Sequence, residues 1–124
     1  MIVLLLGTLH LVYTFATNKF LPRDAALAQR MREVAPLICG QTSMWRAWIG
    51  FNASHSLGMM LFGLVYGYLT IAHPALLLTD PFLLSLGGVF LASLLVLARR
   101  YWFRIPFIGI ALALALYLAG ALPV

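Results

Sequence analysis

Acidic side chains are nearly missing from this chain: three Asp and Glu stand among 124 residues. Charge of either sign is scarce, at 9% where a soluble domain carries roughly a quarter. No carboxylate pair, nucleophile–base pair or phosphate-cradling loop is present, so the sequence supports no assignment of catalysis. Cys39 is the sole cysteine, which excludes an internal disulfide and any multi-thiol metal site. No metal is expected. Alternation of polar and apolar residues is also missing, and with it the signature of a membrane-spanning barrel.

Apolar side chains fill the gap, at 64% of the residues. A body this small has too much surface for its volume to hide them from water. Lipid is the solvent that suits such a composition, and a single domain is expected over 1–124. Four apolar stretches occur, at about 2–17, 44–71, 81–98 and 105–122. Each approaches the ~20 residues a helix needs to cross a bilayer. The first stretch lacks a basic start and a small-residue cleavage site, so it reads as a retained helix. The expected fold is all-α: a transmembrane four-helix bundle. Thr42 or Ser43 is placed to cap the second helix. Thr79 or Asp80, followed by Pro81, opens the third, and Pro106 does the same for the fourth. The links at 73–80 and 99–104 are short, which makes their flanking helices antiparallel hairpins.

Between the first two spans, Leu27, Met31, Val34 and Ile38 recur at helical spacing among Arg23, Asp24, Arg30, Arg32 and Glu33. This pattern predicts an amphipathic surface helix over about 22–35, ended by Pro36. Lys19, Arg23, Arg30, Arg32 and Arg46 belong to this first loop, and Arg99, Arg100 and Arg104 to the third. All eight basic residues therefore fall on one side of a four-span arrangement. The positive-inside rule makes that side cytoplasmic and puts both termini outside. The same clustering turns a net charge of +5 into an orientation signal and an attraction for anionic lipid, so no nucleic-acid partner is expected. Trp45, Trp48, Tyr101 and Trp102 mark the inner interface with Arg46, Arg99, Arg100 and Arg104; Tyr66, Tyr68 and Tyr117 approach the outer one.

The most polar stretch in any span is Gly50-Phe51-Asn52-Ala53-Ser54-His55-Ser56-Leu57-Gly58. Asn52, His55, Ser56 and Met59 share one helical face. Gly50, Ser54 and Gly58 recur every fourth residue, as do Gly63 and Gly67, a spacing that lets another helix approach closely. Ala111, Ala115 and Ala119 form a similar row in the fourth span, and Gly88 and Ala92 in the third. In the first span Gly7, His10, Thr14 and Thr17 share a face. His10 lies nine residues before Lys19 and His55 nine after Arg46, so both imidazoles sit roughly 13 Å inside the cytoplasmic boundary. Polar groups at that depth face protein, water or a ligand. Four readings of His10, Thr14, Asn52, His55, Ser56 and Met59 follow. The polar groups can hold helices together by hydrogen bonds. They can bind a quinone headgroup or a lipid polar group. The two histidines can ligate a haem. Proton transfer is the fourth, weakened because no acid lies in any span.

The pattern Trp45-Arg46-Ala47-Trp48-Ile49-Gly50-Phe51-Asn52-Ala53-Ser54-His55-Ser56-Leu57-Gly58, with His10 and the turn from Tyr101 to Pro106, resembles a family of small bacterial four-span membrane proteins of uncharacterised function. The resemblance covers nearly the whole chain and implies the bacterial inner membrane; it brings no activity. A looser likeness to sterol-isomerase-type bundles fails on the acidic residues that those proteins carry in their spans. Two functions are expected from the residues. One is an accessory or structural subunit of a larger membrane complex, joined through small-residue helix faces and bathed in lipid. The other is a self-contained bundle binding a quinone, lipid or haem near His10 and His55.

Overall fold

The computed structural model describes residues 1–121 and is all-helical over them. Its helices are α1 (Ile2–Ala16), α2 (Ala25–Glu33), α3 (Met44–Ala72), α4 (Pro74–Thr79), α5 (Pro81–Tyr101) and α6 (Arg104–Ala121). Three of them, α3, α5 and α6, are long and apolar enough to cross a membrane. This composition and helix length make the chain a membrane protein. The α1 helix is apolar but has 15 residues, about 22 Å at the helical rise, against a hydrocarbon core of about 30 Å. Leu122, the expected end of the last span, lies outside the described residues.

Helix ends follow local chemistry. Ser43 Oγ accepts from the Arg46 N–H at 3.3 Å at the start of α3. Asp80 caps α5, its Oδ1 accepting from the N–H groups of Phe82 and Leu83 at 2.8 and 3.1 Å, with Pro81 in the first turn. Asp24 caps α2 in the same way. Several expected boundaries shift. The surface helix ends at Glu33, before Pro36, because Val34 is extended, which leaves Val34 and Ile38 outside the amphipathic face. The 73–80 link contains the helical turn α4, led by Pro74. Arg46 lies within α3, not in the loop before it, and Arg99 and Arg100 lie in the last turn of α5. Pro106 is the third residue of α6, since that helix begins at Arg104.

The chain divides into two compact units, Gly7–Gly58 and Met1–Leu6 with the chain from Met59 on. The second unit has an apolar core of Val3, Met59, Leu91, Leu94, Ala98 and Ile110, with Phe62, Phe90, Leu114 and Tyr117 packed against it. Helix α5 turns Gly87, Leu91, Leu94 and Ala98 inward. The expected row was Gly88 and Ala92, and Ala92 is exposed. On α6, Ile110 is buried and Ala115 and Ala119 are exposed, so the alanine row is not the seam within this unit. Shape chooses these faces: a side chain at Gly87 would collide with the rings of Tyr117 and Tyr66, the latter 2.6 Å from the Cβ position. The space left by Gly87 lets Tyr66 donate its hydroxyl to the Leu83 carbonyl at 2.8 Å and Tyr117 to Leu84 at 2.9 Å. Two residues expected as outer-interface markers are thus wedges pinned to the start of α5.

Candidate functional site

The polar constellation lies in the Gly7–Gly58 unit, where α1 supplies His10 and Thr14 and α3 supplies Asn52, His55 and Ser56. The Asn52 side chain fixes its geometry. Its Nδ2–H donates to the Trp48 carbonyl at 2.8 Å, one turn back on α3. The amide oxygen therefore points away, and it stands 2.9 Å from His10 Nε2. That contact requires a proton on Nε2, so the imidazole donates and the amide accepts. The His10 ring meets the His55 ring edge to face, with centroids 5.4 Å apart. Thr14 and Ser56 are both buried, but each hydroxyl bonds to its own helix: Thr14 Oγ1 to the His10 carbonyl at 2.8 Å, Ser56 Oγ to the Asn52 carbonyl at 2.9 Å. Back-bonding of this kind satisfies a hydroxyl where no water reaches it. Met59 departs from the group: it is buried in the apolar core of the other unit, where a thioether belongs.

A further residue, Phe20, joins the constellation. Its ring lies 4.8 Å from the His10 ring and 6.1 Å from that of Trp48. Trp48 Nε1–H donates to the Phe20 carbonyl at 3.2 Å, which closes the chain back onto α3 after α1 ends. The sequence signal for Phe20 was slight: a lone aromatic between Lys19 and Pro22, just past the first apolar stretch. The result is a run of rings, His55 to His10 to Phe20 to Trp48, braced at Asn52.

This arrangement does not fit a bis-histidine haem. Such a haem needs the imidazoles on opposite sides of a flat slot, with one nitrogen of each turned to the iron. Here the rings touch each other, and His10 Nε2 is engaged by Asn52. Among the described residues, no group of three His, Cys, Asp or Glu side chains could hold a metal ion. The hydroxyls of Thr14 and Ser56 are turned to backbone and do not offer a quinone a donor. What the site does chemically is join α1 to α3 by a hydrogen bond and ring contacts.

The small residues of α3 divide into two sets. A Cβ at Gly63 would lie 2.6 Å from Leu4 Cβ and 2.9 Å from the Leu4 backbone nitrogen, so α1 passes there at close quarters; at Gly67 it would touch Met1 Sδ at 3.6 Å. Gly50 and Gly58 are exposed, and a Cβ at either would meet nothing within 4 Å. Ser54 is exposed as well, its hydroxyl donating to the Phe51 carbonyl at 3.0 Å. At the basic ends, Arg32 lies over the Trp45 ring at 5.7 Å and Arg99 over that of Phe107 at 5.8 Å. Arg100, Tyr101 and Arg104 are exposed, and Trp102 packs half-buried against the apolar core. Comparison with protein-family models, with curated proteins and with solved structures finds no match.

Proposed function

We propose that this chain is an accessory or structural subunit of a larger membrane complex, embedded as a four-span protein in the bacterial inner membrane. Both termini lie outside, and α2 lies along the cytoplasmic face. The observation that carries the subunit reading is the open face of α3. Gly50, Ser54 and Gly58 are exposed and unfilled, beside exposed Phe51, Leu57 and Leu61. In lipid no hydrophobic force drives helices together, so close packing on small residues is a main source of association. The same helix uses Gly63 for such an approach within the chain. The second set of small residues serves an approach from another chain, an integral membrane subunit. The orientation rests on the clustering of all eight Lys and Arg at two loops, with Lys19, Arg23, Arg30, Arg32 and Arg46 at one and Arg99, Arg100 and Arg104 at the other.

The ligand-binding alternative has less support, because His10 and Asn52 engage each other. Gentle solubilisation from the native membrane tests the subunit reading. The expected result is migration with a larger assembly, lost in a Gly50→Leu/Gly58→Leu variant that still inserts and folds. Migration of the parent protein only as a monomer would remove the reading. Labelling of a cysteine placed at Asp80 tests the orientation: reaction from the cytoplasmic side alone would reverse it.

A further inference from the structure

An open cleft of about 360 Å³ lies in the Gly7–Gly58 unit, lined by Lys19, Phe20, Leu21, Pro22, Met31 and Trp48. Its size is in the lower range of small-molecule sites. Its walls are mostly apolar, with one ammonium group among them. That ammonium sits over an aromatic face, Lys19 Nζ lying 4.4 Å from the centre of the Tyr13 ring, while the Lys19 backbone N–H donates to Thr17 Oγ1 at 3.2 Å and fixes the main chain there. One wall, Met31, belongs to α2, a helix with no buried residue that carries Arg30 and Arg32 in its last turn. Beyond α2 the chain exposes Leu37 and Ile38 almost fully.

We propose that this cleft binds an anionic phospholipid of the cytoplasmic leaflet, with the headgroup phosphate against Lys19 and the start of an acyl chain against Phe20, Met31 and Trp48. The proposal rests on the membrane topology set out above, though not on membership of a complex. Charge complementarity selects the occupant. The segment from Lys19 to Arg46 carries five basic residues against two acids, and among the described residues neither acid forms an ion pair with the lysine. Asp24 is occupied in capping α2. Glu33 accepts from Gln29 Nε2 at 2.6 Å and lies 3.8 Å from Arg30. A neutral or cationic amphiphile would leave this positive field uncompensated. A purely polar anion would leave the apolar walls unused. The exposed Leu37 and Ile38 fit a segment seated at headgroup depth, where an amphipathic helix buries its apolar face and its basic residues meet anionic lipid. Phe20 lines the cleft and also packs on His10, so an acyl chain in the cleft would lie one ring away from the constellation that joins α1 to α3.

The test uses the full chain in phosphatidylcholine vesicles containing brominated phosphatidylglycerol, with brominated phosphatidylcholine as the neutral comparison. Bromine quenches tryptophan on contact. The difference in quenching between the parent protein and Trp48→Phe reports the cleft, since Trp45 and Trp102 remain in both. Stronger quenching of Trp48 by the anionic lipid is expected, with a preference that falls about fivefold in Lys19→Gln, the weight of one basic residue near an anionic surface. Arg99→Gln, outside the cleft, keeps the preference. Equal quenching by the two lipids would overturn the proposal, as would a preference unchanged in Lys19→Gln. Loss of the preference on adding inorganic phosphate, at ionic strength matched with chloride, would assign the site to free phosphate and overturn it too. Failure of the chain to co-migrate with a larger assembly touches the subunit reading and leaves this measurement intact.

Discussion

The two units of this chain solve the same problem with different means. In the unit from Met59 on, with Met1–Leu6, helices meet by shape. Gly63 admits Leu4 and Gly87 admits Tyr66 and Tyr117, whose hydroxyls then bond to the Leu83 and Leu84 carbonyls at the edge of an apolar core. In Gly7–Gly58 the joint is polar: a His10–Asn52 hydrogen bond and a run of touching rings. A Cβ at its Gly50 or Gly58 would meet nothing within 4 Å. Helix α3 runs through both units and changes character at the boundary. The comparison teaches that a fourfold glycine spacing marks capacity for close approach and does not say who approaches. Within one helix, one set is filled by the chain itself and the other is left open.

The largest effect is expected where backbones approach most closely, at Gly63 and Leu4. A Gly63→Leu variant must displace α1, since the collision is with the Leu4 backbone, which cannot rotate away. Overpacking of this kind costs about 1–3 kcal/mol. Thermal unfolding in detergent, followed by circular dichroism, is expected to show a clearly lowered midpoint. A midpoint equal to that of the parent would mean that α1 and α3 are not closely packed at Leu4, and the contrast between the units would collapse.

A smaller effect is expected at the polar joint. An Asn52→Leu variant loses the acceptor for His10 Nε2. Interhelical hydrogen bonds in membranes average about 0.6 kcal/mol in double-mutant cycles, because the polar groups find other partners in the unfolded reference state. A cycle with His10→Phe and Asn52→Leu should return a coupling of that order. Zero coupling would reduce the joint to ring packing. A value well above about 1.7 kcal/mol, the largest of such couplings, would mean that the two residues are coupled through more than this one bond, because the Nδ2–Trp48 bond is lost with Asn52 in either background and cancels in the cycle.

Much of the polar joint was legible in the sequence, and for a simple reason. In an apolar helix, His10 and Asn52 are exceptions, and a polar side chain among apolar ones must find a partner. Asp80 and Pro81 were legible as a helix start because capping is a local matter of a few residues. The packed faces of α5 and α6 were not. In water the buried face of a helix is betrayed by its apolarity, whereas in lipid every face is apolar. Thus Gly87 could not be told from Gly88, nor the Ile110 face from the Ala111 and Ala115 row. Phe20 was missed because an aromatic near a boundary is usual in any membrane protein. The α4 turn was missed because Pro74–Thr79 is too short to stand out from a link.

The smallest effect on stability sharpens the comparison most. A Gly58→Leu variant puts the same side chain on the same helix, five residues before Gly63. Nothing lies within 4 Å of the new Cβ, so no clash arises within the chain. Replacing glycine in a helix interior also removes a backbone entropy cost, which favours the variant slightly. The unfolding midpoint of the isolated chain is therefore expected to stay within the equivalent of about 0.5 kcal/mol of the parent, as for surface positions generally. Its association is a separate quantity. Gly58 sits with Ser54 and Gly50 on the open face, and a leucine there holds a partner helix off by the thickness of a side chain. The pair of variants thus separates two roles of one residue type: Gly63→Leu is expected to lower the midpoint, whereas Gly58→Leu is expected to leave it and, on the proposed subunit reading, to remove co-migration with a larger assembly. If Gly58→Leu lowers the midpoint as far as Gly63→Leu does, the Gly50, Ser54 and Gly58 face of α3 is packed within the chain after all and is not open to an outside partner. If it changes neither midpoint nor migration, the partner contacts another surface, and the exposed Ala115 and Ala119 row of α6 becomes the next face to fill.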